Sequence, residues 1–401
     1  MSSALCELGD RVASALLGVD LLYVEEPQAP SAIALNDDDP LASEGLVAVN
    51  LSNADPKHYA SWDAASDDWR NIYQVAGALK DRSRRAYYED LATSILAIIS
   101  WRQQDTVHVD GEAFEILGQR LLGLERLAFT EQEWQGAQAA LLRRLHEAGH
   151  GAKRLSEALS SWERSSQVPP NEVIPLTNEL LRLSRQWVEE QMFPLPQSRQ
   201  MRAVGVRGVA YSAYCDFVGG EVHINLDQPY TIGELRHLVA HEAYPGHATH
   251  IAVREMAVAS GESPTDVLLV VTDTPTSIVF EGIGDNGIRF CWTAEPDDLL
   301  ALDVFRVRIL AVCRAAIRLA AAVPPDEVSR TLAAESHADS AWVEQRMRFL
   351  SLPLRRPFVF AYAWGERVVA DAYRNVGSHD RRRFFDVLYK LHHSPRSLRE
   401  L

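Results

Sequence analysis

A Pro-Gly pair interrupts a helical pattern between two histidines in His241-Glu242-Ala243-Tyr244-Pro245-Gly246-His247, inside LRHLVAHEAYPGHATH. On a straight helix, residues six apart lie about 120° apart around the axis and about 9 Å along it, too far to share an ion. In the common H-E-x-x-H arrangement the two histidines are four apart, within about 40° of one another on one face. Pro245 changes the geometry here. It offers no N–H, and its ring clashes with the carbonyl four residues back, that of His241. Gly246 then permits dihedrals closed to other residues. Local unwinding at Tyr244–Gly246 swings His247 back onto the face of His241. Two imidazoles and a carboxylate so placed are what a catalytic zinc site uses, nitrogen for the metal and a base for its water. A histidine-rich helix end at the surface is the plainer alternative. His237, four before His241, could chelate with it. It otherwise reads as a structural or supporting residue, and His250 stays open as a further candidate.

A third donor is expected from SIVFEGIGDNGIRF, where Glu281 and Asp285 lie four apart on an apolar, helical pattern. Burying carboxylates without partners is costly, so their placement asks for a metal, an imidazole or an arginine. Gly282 and Gly284 remove bulk beside Glu281, which would let this helix approach the metal helix closely. Glu281 as ligand, with Asp285 accepting from a ligand imidazole, fits the way metal-binding histidines are oriented. An ordinary helix carrying Asp285 near its end is the alternative.

The rest of the chain reads as mainly α-helical, an α+β protein with a small antiparallel strand element. Leu5, Leu8, Val12, Leu16 and Leu17 share one helical face, and EEPQAPSAIALNDDDPLASEG reads as a surface loop. Ser66-Asp67-Asp68 reads as a helix start. SRRAYYEDLATSILAIISWRQQ reads as a central helix, followed by further helices to Phe193. Residues 201–227 alternate and contain Gly219-Gly220, which predicts two or three short strands with a hairpin. Thr231 and Glu234 form a capping-box pattern at the start of the metal helix. An N-terminal helical region, 1–195, and a catalytic region, 196–401, are expected to pack around one deep cleft. His58, His108, His146 and His150 carry no partner pattern and read as structural, as do His392 and His393 at a helix end.

Composition excludes more than it assigns. With 401 residues, 47% hydrophobic and 24% charged, the chain is an ordinary globular one. A net charge of −15 argues against a non-specific grip on nucleic acid or anionic lipid. Cys6, Cys215, Cys291 and Cys313 are scattered and read as free thiols. Glu7 and Asp10 precede the first apolar stretch, unlike a signal peptide, and the densest apolar run, Val267 to Val271, is far short of the roughly 20 residues of a membrane span. The expectation is a cytoplasmic protein.

HEAYPGH followed by EGIGD resembles the gluzincin zinc metallopeptidases, and more narrowly the bacterial domain-of-unknown-function family 885, with its H-E-x-x-P-G-H-H signature and E-G-W helix. The resemblance runs from about Met201 to Asn375. It continues through Arg348-Phe349-Leu350-Ser351-Leu352-Pro353 to Phe360-Ala361-Tyr362-Ala363-Trp364-Gly365-Glu366, against R-Y-x-x-x-P and Q-A-x-x-Y-x-x-G-E in the family. It implies Zn2+ held by His241, His247 and Glu281, with Glu242 as general base. It also implies Tyr362 as a hydrogen-bond donor to the oxyanion and Asp285 behind the ligands. Arg348 is the candidate to bind a substrate carboxylate, with Arg346, Arg355, Arg356 and Arg367 beside it in sequence. Ala248 stands where the family has its second paired histidine, and Ile283 where it has tryptophan. Arg314 and Arg318 replace an acid and a histidine. The activity implied is a zinc-dependent hydrolase of a peptide or small amide, without nucleic-acid or membrane partners. A metal-dependent enzyme acting on a non-peptide amide, or a non-catalytic helical protein that kept the motif, are the alternatives.

Overall fold

Each stretch with helical periodicity folds as a helix in the computed structural model, which describes residues 3–25, 45–104, 111–209, 211–291, 294–352, 355–377 and 380–401. The first half holds α1 (Ser3–Glu25), α2 (Trp62–Gly77), α3 (Arg82–Arg102), α4 (Gly111–Leu122), α5 (Glu131–Glu147), α6 (Leu155–Ser166) and α7 (Val173–Gln191). Then come α8 (Ile232–Glu242), α9 (His247–Ala259), α10 (Pro275–Cys291), α11 (Pro296–Ala320), α12 (Pro325–Ser336), α13 (Ser340–Ser351), α14 (Arg355–Asn375), α15 (Arg381–Lys390) and α16 (Pro395–Arg399). Strands are few and short: β1 (Val47–Asn50), β2 (Arg202–Val206), β3 (Ala213–Asp216), β4 (Glu221–Asn225) and β5 (Leu269–Val271). Most of the expected loop after α1, and His108, lie outside the described residues. The second helix starts earlier than Ser66, because Ser61 caps it by accepting from the Ala64 amide.

The chain divides into two compact units that interleave along it, 1–127, 250–282 and 353–401 in one, 128–249 and 283–352 in the other. The division therefore does not fall at residue 195. The reason lies in the first unit, whose N-terminal helices are completed from the far end of the chain. There α14 packs on α4 and α16 on α3, and Ser83 Oγ donates to the Ser397 carbonyl at 2.9 Å. A two-stranded sheet, β1 antiparallel to β5, also belongs to this unit. Three residues of β5 are too few to show an alternation, and the sequence gives no sign of it.

In the second unit, α8 is held by α7 and α11. Ala240, Ile288 and Leu302 form a core cluster with Leu299 packed against it, so α8, the latter part of α10 and the start of α11 share apolar faces. The adjacent sheet has the order β2-β4-β3. It corrects the antiparallel expectation: β3 and β4 form the antiparallel hairpin, but β2 runs parallel to β4. Burial explains the order. Val222 and Ile224 of β4 are fully buried, whereas β3 is half-buried throughout, so the most apolar strand takes the centre. Gly220, at a φ of +70°, makes the hairpin turn.

The capping box expected at α8 is present. Thr231 N donates to Glu234 Oε2 at 2.8 Å, and Glu234 N donates to Thr231 Oγ1 at 3.2 Å. Thr231→Ala should destabilise the chain by about 1 kcal/mol, measured as a lower urea midpoint at unchanged slope. An unaltered midpoint would show that the cap adds nothing to stability.

Candidate metal centre

The helix that carries His241 and Glu242 ends where the sequence requires it. α8 stops at Glu242, the chain turns through Ala243–Gly246, and α9 begins at His247. The Tyr244–Pro245 peptide bond is cis. Thr249 closes the turn, its amide and its Oγ1 both donating to the Ala243 carbonyl at 3.1 and 3.0 Å. Gly246 is pressed onto the end of α8: a Cβ there would stand 1.8 Å from the His241 carbonyl oxygen, a distance no side chain survives. His247 is thereby brought to His241 with Nε2 to Nε2 at 3.1 Å and the ring planes at 86°.

The expected trio of His241, Glu242 and His247 is thus assembled, each offering a ligand atom within 4.8 Å of the others. His241 and Glu242 are nearly sealed from solvent and His247 is half-buried. Asp285 sits behind, its Oδ1 2.9 Å from His241 Nδ1. That contact fixes the tautomer: Nδ1 carries the proton toward the carboxylate, and the Nε2 lone pair points at His247. Two lone-pair nitrogens 3.1 Å apart would repel, so His247 must donate a proton or a cation must lie between them. Two imidazoles on one tetrahedral zinc, at about 2.05 Å each, would have their nitrogens about 3.3 Å apart. The donor set fits the metal.

His237 lies on the far side of Asp285, with its Nε2 3.7 Å from Oδ1 and its ring 5.0 Å from that of Phe305. Burial, then the neighbouring His241 and Arg289, pushes its pKa down to about 3, so it stands neutral behind the pair. His250 is buried in the other unit, its ring 4.6 Å from that of Phe280 and its Nδ1 facing the Arg254 guanidinium. A cation there opposes a second cation. His146 and His150 are tied to the Ala152 carbonyl and Ser161 Oγ, as structural residues are.

α10 is one helix serving two neighbours. Gly284 faces α8, where a Cβ would come within 2.6 Å of His241 Nδ1. Gly282, expected to serve the same approach, instead meets α14, where a Cβ would lie 2.4 Å from the Gly365 carbonyl oxygen. Glu281 and Tyr362 flank that crossing, Glu281 next to Gly282 and Tyr362 one turn before Gly365, with the Tyr362 ring edge-on to Phe358 at 5.6 Å. Glu281 is buried and stands one turn before Asp285 on α10. It belongs to the first unit, whereas His241 and His247 belong to the second.

Arg348 pairs with Glu344 at 2.7 Å, four residues back on the exposed side of α13. Arg346 instead donates to Ser212 Oγ at 3.1 Å, beside β3. Arg314 and Arg318 both bind Glu335, and Arg314 also binds Glu131, so their charges are answered within the second unit. One neighbour had no sequence signal. Cys215 on β3 has its thiol pushed well up by burial and by the Glu242 carboxylate, which places this edge strand beside the general-base candidate.

No protein-family model matches the chain, and no curated protein matches it. Two solved structures share its fold. One is described as "a putative lipoprotein of unknown function" from Shewanella oneidensis, 14% identical, with a TM-score of 0.53 over 84% of this chain and 72% of that one. The other, a "putative lipoprotein" from Colwellia psychrerythraea, is 13% identical, with a TM-score of 0.56 over 84% of this chain and 68% of that one. These descriptions overturn the expectation of a cytoplasmic protein, and it is withdrawn. Among the described residues, no helix is long and apolar enough to cross a membrane.

Proposed function

We propose that this chain is a zinc-dependent hydrolase of peptide or related amide bonds, built on a gluzincin-like plan. The observation that carries the reading is the convergence of His241 Nε2 and His247 Nε2 at 3.1 Å, with Asp285 on the far nitrogen of His241 and Glu242 adjoining. His241 and His247 would hold the ion, with Glu281 as the third ligand that the family resemblance implies. A bound zinc would act as a Lewis acid toward a carbonyl and bring the pKa of a water near 7.

The protein's own groups do the remaining work. Glu242 takes a proton from the attacking water and returns it to the leaving amine, which needs a carboxylate that is ionised at rest. Asp285 holds the His241 ring in one tautomer and one orientation. Tyr362 is the oxyanion donor that the family resemblance implies, and one positioned donor is typically worth about 3 kcal/mol. β3 is an edge strand beside Glu242, and an extended peptide can pair with such an edge.

The test is metal content with activity. Purified full-length protein should hold about one zinc per chain by elemental analysis, as a single site of this donor set requires. A peptide and acyl-amide library should show chelator-sensitive cleavage. A protein that takes up no zinc on dialysis against the metal sinks the proposal. One that binds zinc but cleaves only non-peptide amides narrows it to the second substrate class.

A further inference from the structure

Tyr244, in the middle of the motif, is not among the grouped candidate ligands and is buried in the second unit. Its hydroxyl accepts from Met201 N at 3.0 Å and from Arg185 Nη1 at 3.2 Å, and donates to the Arg199 carbonyl at 3.1 Å. A phenol has one proton to give and two lone pairs to offer, and all three are used.

Arg185 of α7 is equally spent. Nε donates to Glu189 at 3.0 Å, Nη1 to the Arg199 carbonyl at 3.0 Å as well as to Tyr244, and Nη2 to the carbonyls of Leu195 at 3.3 Å and Pro196 at 3.0 Å. Its five N–H groups thus have five acceptors. The guanidinium also lies 5.7 Å from the centre of the Tyr244 ring. Three carbonyls of the segment entering β2, one guanidinium and one phenol form a saturated buried hub. Such a network holds its members in one arrangement.

We infer that Arg185 and the Tyr244 hydroxyl are positioning residues for the metal ligand His247. Tyr244 lies inside the turn between α8 and α9, and His247 follows three residues later. The hub anchors the ring, and the ring anchors the backbone that must place Gly246 against the His241 carbonyl. Neither residue touches the ion or a substrate. The inference rests on the zinc reading for its purpose, but the anchoring itself has a readout independent of zinc.

Tyr244→Phe keeps the ring and removes only the hydroxyl. In the metal-free full chain, hydrogen exchange should quicken across the peptide spanning 243–249 and stay as in the parent across the first turns of α8. Zinc affinity, read by competition with a coloured chelator, should fall about 10- to 100-fold, the usual effect of losing a group behind a ligand. Unchanged exchange across 243–249 overturns the inference, and so does equal zinc affinity in parent and variant. A parent that binds no zinc would sink the hydrolase reading alone, with the exchange measurement still deciding whether the hub holds the turn. If Tyr244→Phe does not fold, Arg185→Lys carries the same two measurements, since it keeps the charge but loses most of the fork.

Discussion

Glu242→Gln is expected to bind zinc as tightly as the parent while hydrolysis falls by about 10²- to 10⁴-fold, the range general-base groups supply. The amide matches the carboxylate in shape, so the helix end and the His241–His247 pair stay as they are. What it cannot do is accept the proton of the attacking water. Two measurements belong together here, zinc content by elemental analysis and turnover on the best library substrate. Turnover within a few-fold of the parent at full zinc occupancy would remove Glu242 from the role of base. Loss of zinc would instead place its carboxylate among the ligands, which the atoms within 4.8 Å of His241 and His247 make a real alternative outcome.

His241→Ala should lose the metal altogether. It removes the imidazole that meets His247 on one side and Asp285, at 2.9 Å, on the other. Asp285→Asn should be milder. An amide oxygen can still accept from Nδ1, but without a full charge it makes the imidazole a weaker base, and zinc affinity should drop about 10- to 100-fold. Chelator competition orders the three proteins, parent above Asp285→Asn above His241→Ala. If the two variants bind zinc equally, Asp285 does not act through His241.

The candidate site was legible where chemistry is local in sequence. A proline clashing with the carbonyl four residues back must bend the helix, and the bend decides where His247 goes. Asp285 was legible because a carboxylate in so apolar a helix needs a partner, and its partner proved to be His241 Nδ1. Legibility failed where partners are remote. Nothing in the spacing of EGIGD tells which glycine faces which helix: Gly282, expected to let α10 approach α8, in fact admits Gly365 of α14. Arg185 and Tyr244 are 59 residues apart, and no local pattern joins them. Arg348 matched a motif, yet its nearest acid, Glu344, lies one turn away on its own helix, and such i, i+4 pairs form on any exposed face.

The same limit governs the fold. Periodicity found the helices because each writes its own amphipathic stripe. It could not order the strands: β2 precedes β3 in sequence, yet the more apolar β4 takes the place beside it, and a parallel pair results. Pairings between distant segments, such as β1 with β5, leave almost nothing in four or three residues to read.

The interleaving of the two units has a consequence for anyone who would take the protein apart. The chain passes from one unit to the other four times, at 127/128, 249/250, 282/283 and 352/353. No single cut therefore releases either unit whole, and a fragment ending near residue 195 would hold neither unit complete. Two of the crossings fall inside helices, one within α9 three residues after His247 and one within α10 between Glu281 and Asp285. Dissection by truncation would sever the very helices that carry the candidate ligands, so single substitutions in the full chain are the way to question this protein.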